Sequence, residues 1–330
     1  MNFPENATPE IHFLLEATRQ AALLVCHIQE VLVNPSLTKE DHSPVTVADF
    51  AAQALVGKML AQAFPGDALV AEESSETLRQ DEAALEAVSR FVSEVTGKET
   101  PDSVCAWIDH NRVDTARRFW TLDPIDGTKG FLRGDQYAIA LALVVDGQVQ
   151  MGALGCPKLA EGYRPDLTGS GSLVAAVRSQ GSWVTGLARP GSFEALHVSS
   201  CSNPQEARIL RSFESGHTNT GQIDLFTQAL GVQAEPVLMD SQAKYAVLAA
   251  GKGDLMLRLL STSQPNYKEK IWDQAAGSLV LEEAGGQISD LHGRAFDFSS
   301  GRSLYHNRGV LASNRLLHPA ALSALEKIEA

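Results

Sequence analysis

Trp120-Thr121-Leu122-Asp123-Pro124-Ile125-Asp126-Gly127-Thr128-Lys129-Gly130-Phe131 is the stretch that organises this chain. Apolar residues run into two acids separated by a proline and an isoleucine, and a glycine and a threonine follow. Proline fixes φ between the acids, and glycine accepts the left-handed backbone that lets a chain turn at once. The segment therefore reads as a strand that ends and gives way to the first turn of a helix, with the Asp123 and Asp126 carboxylates facing one cavity. The N–H groups of Gly127 and Thr128 would open into the same space, where aligned peptide dipoles favour an anion such as phosphate.

Further acids stand elsewhere in the chain. Glu72-Glu73 closes the apolar run Ala68-Leu69-Val70-Ala71, Asp49 ends Ser43-Pro44-Val45-Thr46-Val47-Ala48-Asp49, and Trp272-Asp273-Gln274-Ala275-Ala276-Gly277 precedes Glu282-Glu283-Ala284-Gly285-Gly286. A hard cation such as Mg²⁺ takes oxygen ligands in octahedral arrangement, and no single short segment supplies enough of them. Convergence of these distant carboxylates is the expectation. Each also has a plainer reading: Asp-Pro and Asp-Gly as turn formers, Thr128 as an N-cap, Asp49 as a helix-surface acid, Glu73 as a solvated strand end, and Asp273 as a helix cap.

Around this centre the periodicities define two parts. Thr8-Pro9-Glu10 ahead of Ile11, Leu14, Leu15, Ala22 and Val25 predicts a long first helix, and Thr46 to Met59 a second. Ala68 to Ala71 reads as a short strand. The charged stretch from Ser74 to Phe119 reads as a helix near Ala83 to Val95 with loops, forming a cover over a site. Asp146-Gly147 between Tyr137–Val145 and Gln148–Leu154 predicts a hairpin, and Gln180-Gly181 between Leu173–Val177 and Trp183-Val184 a second. Residues 1–194 thus read as helices beside an antiparallel sheet. From 195 to 330 the pattern changes to strand (Arg208–Phe213), helix (Gln222–Leu230), strand (Val237–Met239), helix (Gln242–Ala250), strand (Asp254–Leu259) and helix (Ile271–Ala284), which predicts a mostly parallel sheet flanked by helices. Gly285-Gly286 reads as the stop of the last helix.

Composition narrows the function classes. With 330 residues, 44% apolar and 20% charged, the chain suits two globular subdomains that share an interface. A net charge of −13 argues against a nucleic-acid surface but leaves room for a small anionic ligand held by a few cations and a metal. No apolar run is long enough for a membrane span, and the N-terminus lacks the basic-then-apolar layout of a signal peptide, so a soluble, cytoplasmic protein is expected. Cys26, Cys105, Cys156 and Cys201 have neither metal-finger spacing nor a CxxC pair, which predicts reduced, mostly buried thiols and no zinc. Walker A, HExxH and GxSxG motifs are missing, and Gly169-Ser170-Gly171-Ser172 reads as a loop.

Asp-Pro-Ile-Asp-Gly-Thr together with Trp-Asp-x-Ala-Ala-Gly, an upstream Glu-Glu and an Asp resembles the signature of the lithium-sensitive, magnesium-dependent phosphatases, the superfamily of inositol monophosphatase and fructose-1,6-bisphosphatase. The resemblance runs from Ala17 to Asn314. Ser43 to Phe50, Lys129-Gly130-Phe131, Met239-Asp240-Ser241-Gln242-Ala243-Lys244-Tyr245 and Tyr267-Lys268-Glu269-Lys270-Ile271-Trp272-Asp273 are similar to the 3′(2′),5′-bisphosphate nucleotidase branch. Inositol monophosphatases usually carry Thr-Asn-Phe after Asp-Gly-Thr and lack the Asp-Ser-Gln-x-Lys-Tyr element. Gln274 stands where many relatives have His.

The resemblance implies an α+β / α/β fold: a layered αβαβα sandwich, with an antiparallel sheet in the N-terminal part and a mostly parallel one in the C-terminal part. It implies two or three Mg²⁺ ions held by Glu72, Asp123, the Ile125 carbonyl, Asp126 and Asp273. Asp49 and Thr128 would orient and deprotonate the attacking water, and the Gly127 and Thr128 amides would stabilise the phosphoryl oxygens. His217, Ser241, Lys244 and Arg258 would hold the rest of a small-molecule bisphosphate nucleotide. Taken singly, His217 also reads as a loop residue, Lys244 as an exposed helix residue and Arg258 as an edge-strand charge. The implied reaction is hydrolysis of the 3′-phosphate of adenosine 3′,5′-bisphosphate to AMP, with the sulfated analogue as a further substrate, inhibited by lithium. A monomer or weak homo-oligomer, with neither nucleic-acid nor membrane partner, is expected. The alternatives are an inositol-phosphate or sugar-phosphate phosphatase on the same metal site, and a non-catalytic metal-dependent nucleotide-binding protein.

Overall fold

The computed structural model describes residues 7–32, 44–160, 164–165, 171–212, 220–260 and 264–328. Its helices are α1 (Pro9–Leu32), α2 (Pro44–Ala63), α3 (Ser75–Leu78), α4 (Glu82–Thr96), α5 (Pro101–Ile108), α6 (Thr128–Arg133), α7 (Thr220–Leu230), α8 (Ala243–Ala249), α9 (Ala275–Glu283) and α10 (His318–Lys327). Strands β1 (Ala68–Ala71), β2 (Arg118–Asp126), β3 (Ala138–Val145), β4 (Gln148–Cys156), β5 (Leu159–Ala160), β6 (Arg164–Pro165), β7 (Ser172–Val177), β8 (Gly181–Gly186) and β9 (Glu194–Ala195) come first. They are followed by β10 (Ile209–Arg211), β11 (Val237–Leu238), β12 (Leu255–Arg258), β13 (Gln287–Ser289) and β14 (Val310–Ser313).

The first sheet has the order β1-β2-β3-β4-β7-β8-β9, in which β1 runs parallel to β2 and every later pairing is antiparallel. Both expected hairpins are present. Asp146 at φ 49° and Gly147 at φ 74° give the two left-handed residues that a two-residue turn between right-twisted strands requires. Alternation along the strands divides their side chains between two layers. Trp120, Leu122, Leu141, Leu143 and Leu173 join a core with Leu14, Ala21, Val25 and Ile28 of α1 and Ala48, Ala51 and Leu55 of α2. Their neighbours Ala140, Ala142, Val144, Leu154 and Val174 pack instead with Tyr245 and Leu248 of α8 and Ala276, Leu279 and Val280 of α9.

The second sheet, β11-β10-β12-β14-β13, closes over the far side of α8 and α9 through Leu210, Met256, Ile288, Val310 and Ala312. Its other face, with Ile209, Leu255, Leu257 and Leu311, is covered by Ile223 and Phe226 of α7 and Ala321, Ala324 and Leu325 of α10. The layers thus run helix, sheet, helix, sheet, helix, as expected. The second sheet is mixed: β11, β10 and β12 are parallel, and the last two strands add antiparallel pairings to β12 and to each other.

The stretch 76–118 is not a cover. The apolar side of α4 (Ala84, Val88, Phe91, Val92) and the buried residues of α5 (Val104, Ile108) join the core of α1 and α2. None of these residues lines the large cavity described below. A charged, amphipathic helix shows that it packs somewhere but not on what, and here the apolar stripe already has its partner in α2. All four cysteines are free thiols, and among the described residues no helix is long and apolar enough to cross a membrane.

His318 opens α10 with both ring nitrogens hydrogen-bonded, Nε2 to Ser289 Oγ at 3.0 Å and Nδ1 to Ser313 Oγ at 2.9 Å. Burial lowers its pKa from 6.5 to about 4. The fold therefore holds the neutral ring, and the associated stability, about 3 kcal/mol, is present above pH 6.5 and is lost as pH falls to about 4. Urea unfolding of wild type and His318→Asn in EDTA at pH 7 and at pH 4.5 should show the wild type losing stability relative to the variant at the lower pH.

Candidate active site

The end of β2 is built as its letters suggest. Asp123 still pairs with Ala140, the register then shifts before Asp126, and Gly127 at φ 89° leads into α6. A Cβ on Gly127 would lie 2.8 Å from Cβ of Ser241, so the loop can approach the other half of the molecule only with glycine there. Ser241 is itself left-handed, at φ 68°, an unfavourable state for a non-glycine residue. It is held by the neighbouring Gln242, whose N–H donates to Asp126 Oδ2. The Gln242 side chain donates to the Trp272 carbonyl at 3.0 Å and accepts from Gly277 N–H at 3.1 Å, tying the β2 turn to α8 and α9.

These elements enclose a cavity of 460 Å³. Glu72, Asp123, Ile125, Asp126, Gly127, Thr128 and Asp273 line it, and so do Ser241, Lys244 and Arg258. Asp123 is 2% exposed, Asp126 and Asp273 are half-buried, and Glu72 stands at the exposed rim. Asp49 is buried and lies outside the cavity wall, and no hydrogen bond links it to Thr128, which is exposed within the wall. His217 lies outside the described residues. Asp273 is not a helix cap: Gln274 occupies the cap position of α9, and its side chain makes no capping bond.

The acids repel one another. Burial, followed by the charges of Glu72, Asp126 and Asp273, raises the pKa of Asp123 well above the carboxylate range. Glu72 is pushed up to about 7 by burial and then by Glu73 and Asp126. Asp49 is raised by burial and by Glu73 and Glu72, and Asp273 by burial and by Asp126 and Glu269. Burial also raises Asp126, which Lys244 and the Gln242 N–H pull back down. The buried Oδ1 atoms of Asp49 and Asp123 have no hydrogen-bond partner. Buried anionic oxygens without a countercharge are costly, and a divalent cation is the partner that their hard donor atoms suit. Among the described residues no three His, Cys, Asp or Glu side chains close around one point as a preformed cage. They line a wall instead, which fits an ion that keeps several waters and takes only one or two carboxylates plus phosphate oxygens.

The cationic side departs from the plainer readings of its residues. Lys244 is 9% exposed, not a solvated helix residue, and its Nζ donates to Ser212 Oγ at 3.1 Å and the Met239 carbonyl at 3.2 Å. Burial lowers its pKa to about 8 against the pull of Asp126 and Asp240. Arg258 is not at a sheet edge, since β12 lies between β10 and β14. Its guanidinium lies 2.8 Å from Glu269 and 5.0 Å from the centre of the Tyr267 ring.

Several supporting residues escaped sequence reasoning. Gln53 fixes the backbone of Glu73, accepting from its N–H at 3.0 Å and donating to its carbonyl at 2.9 Å. Arg302 stacks 4.6 Å from the Trp272 ring and donates to the Ala71 carbonyl at 2.7 Å, joining the segments that carry Asp273 and Glu72. Their only sequence signal was polarity, which by default means exposure.

The profile of the inositol monophosphatase family matches residues 9–330. A Schizosaccharomyces pombe protein named 3′(2′),5′-bisphosphate nucleotidase is 38% identical over 334 residues, covering 96% of this chain and 94% of that protein. An Oryza sativa protein of the same name is 40% identical over 337 residues, covering 94% and 93%. Inositol monophosphatase II from Staphylococcus aureus superposes with a TM-score of 0.65 at 19% identity, covering 97% of each chain. A bacterial member of the same family from Bacteroides thetaiotaomicron gives 0.61 at 19%, covering 92% of this chain and 96% of that one, so these two structures speak for the fold. With the profile match, near-complete coverage and layered fold all in agreement, the chain belongs to the inositol monophosphatase family.

Proposed function

We propose that this protein is a metal-dependent phosphatase that removes the 3′-phosphate of adenosine 3′,5′-bisphosphate, giving AMP and phosphate, and that it accepts the sulfated analogue as well. The observation that carries this reading is one cavity lined both by the carboxylates of Glu72, Asp123, Asp126 and Asp273 and by Lys244 and Arg258. A monophosphate would engage the acids through bound metal and leave Lys244 and Arg258 without a ligand charge. The names of the relatives from fission yeast and rice support the same substrate.

Glu72, Asp123, Asp126, Asp273 and the Ile125 carbonyl are the groups that would hold two or three Mg²⁺ ions. Bound there, the ions would neutralise phosphoryl charge and acidify a water molecule. The chain's own groups do the rest. Thr128, in the wall at the start of α6, orients the attacking water, and Asp49, buried near Glu72 and Asp123, is the base that receives its proton. The Gly127 and Thr128 amides face the equatorial oxygens of the transferring phosphoryl group. Ser241, Lys244 and Arg258 hold the phosphate that is not cleaved, through charge-assisted hydrogen bonds. Residues 1–194 thus carry most of the metal side and residues 195–330 the nucleotide side.

Phosphate release by the purified protein in Mg²⁺, compared on adenosine 3′,5′-bisphosphate and inositol 1-phosphate, tests the reading. A higher kcat/KM on the nucleotide is expected; a higher value on the inositol ester, or no release from either, overturns it. Lys244→Ala and Arg258→Ala should each raise KM for the bisphosphate about tenfold or more, with little change for a simple monoester.

A further inference from the structure

Arg258 is held in the cavity by a buried chain of polar groups that comes from another part of the sequence. Glu269, 2% exposed, places Oε2 2.8 Å from Nη1 of Arg258 and accepts a second hydrogen bond from Gln274 Nε2 at 3.2 Å. Gln274, 5% exposed, accepts in turn from the Tyr245 hydroxyl at 2.5 Å. Tyr245 adjoins Lys244 on α8, so the chain runs from one nucleotide-side cation to the other. An amide at position 274 serves both ends, donating to the carboxylate and accepting from the phenol.

The Arg258–Glu269 contact is not built for stability alone. A guanidinium paired for its own sake meets a carboxylate through two parallel bonds, whereas here Nε of Arg258 and Oε1 of Glu269 are buried without partners. Arg258 is also drawn electrostatically toward Asp273 and Asp126. Left to that pull, it would fold onto the acids, neutralise the groups meant for a cation and be lost to a second phosphate.

We propose that Glu269 is a positioning residue: oriented by Gln274 and Tyr245, it holds Arg258 off Asp126 and Asp273 and keeps the guanidinium available to the second phosphate of a bisphosphate nucleotide. This rests on the substrate assignment above. The test is the kcat and KM of wild type, Glu269→Gln, Arg258→Ala and the double variant on adenosine 3′,5′-bisphosphate and on 3′-AMP, with a metal-free crystal structure of Glu269→Gln. Glutamine keeps the shape of the buried side chain, so the variant should fold.

Glu269→Gln should raise KM for the bisphosphate about tenfold, leave its kcat within about threefold and barely affect 3′-AMP, and the double variant should behave as Arg258→Ala alone. In the crystal the guanidinium should have moved toward Asp273. Equal losses on both nucleotides, or additive effects in the double variant, overturn the proposal. A wild type that does not prefer the bisphosphate to 3′-AMP would refute the substrate assignment instead. The positioning claim is then decided by the crystal: a displaced guanidinium supports it, and an unmoved one overturns it.

Discussion

Asp126→Asn is expected to lower kcat/KM by about 100-fold or more while making the metal-free protein more stable. Asp126 is where the site's charges meet: its carboxylate raises Asp123, Glu72 and Asp273, and it is itself countered by Lys244 and the Gln242 N–H. Asparagine retains an oxygen to accept from Gln242 and fills the same space, so the turn at Gly127 should persist. What disappears is the negative charge, and with it both the affinity for a divalent ion and the repulsion among the remaining acids. The melting temperature in EDTA at pH 8 should therefore rise by about 1–2 °C for each kcal/mol of repulsion relieved. A variant that loses activity and also melts lower would mean that Asp126 serves the fold more than the site.

Metal removal should make stability fall with rising pH. A carboxylate whose pKa is raised on folding contributes stability that is fully present below its unfolded value and is lost as pH climbs through the folded one. For Glu72 that window runs from 4.5 to about 7, and Asp49, Asp123 and Asp273 act in the same direction. His318 acts in the opposite direction as pH drops from 6.5 to about 4, but equally with and without metal. The difference between Mg²⁺ and EDTA at each pH therefore isolates the acids. Mg²⁺ should add more to the melting temperature at pH 8 than at pH 6, and at a concentration about 100 times its dissociation constant it should contribute about 2.7 kcal/mol. A Mg²⁺ increment independent of pH would contradict the assignment of these carboxylates to the metal.

What could be read from the letters follows from how local the physics is. The turn after Asp126, the Asp146-Gly147 hairpin and the long first helix are set by backbone conformation and short-range periodicity, and they stand where those rules put them. The role of α4 depends on which surface receives its apolar side, a long-range fact, and the expected cover proved to be part of the core on α2. The strand-helix alternation described the parallel strands of the second sheet, but Gln287–Ser289 and Val310–Ser313 are too short to announce their antiparallel pairings.

The same limit applied to the site. The acids of the cavity wall were legible because proline, glycine and paired acids at fixed spacing constrain the backbone. Asp49 matched its motif, yet only the fold shows it buried behind the wall instead of lining it. Lys244 and Arg258 looked like surface charges one at a time, and only the fold shows Lys244 buried in the cavity lining and Arg258 paired with the buried Glu269.

The proposed function requires that carboxylates from both halves of the chain share divalent ions beside a phosphoryl group. The most direct measurement is anomalous diffraction from crystals soaked in Mn²⁺ with and without AMP and phosphate. Peaks bordered by Glu72, Asp123, Asp126 and Asp273, lost in Asp126→Asn, are the predicted result. Manganese bound only elsewhere, in crystals of protein that is active with Mn²⁺, would contradict it.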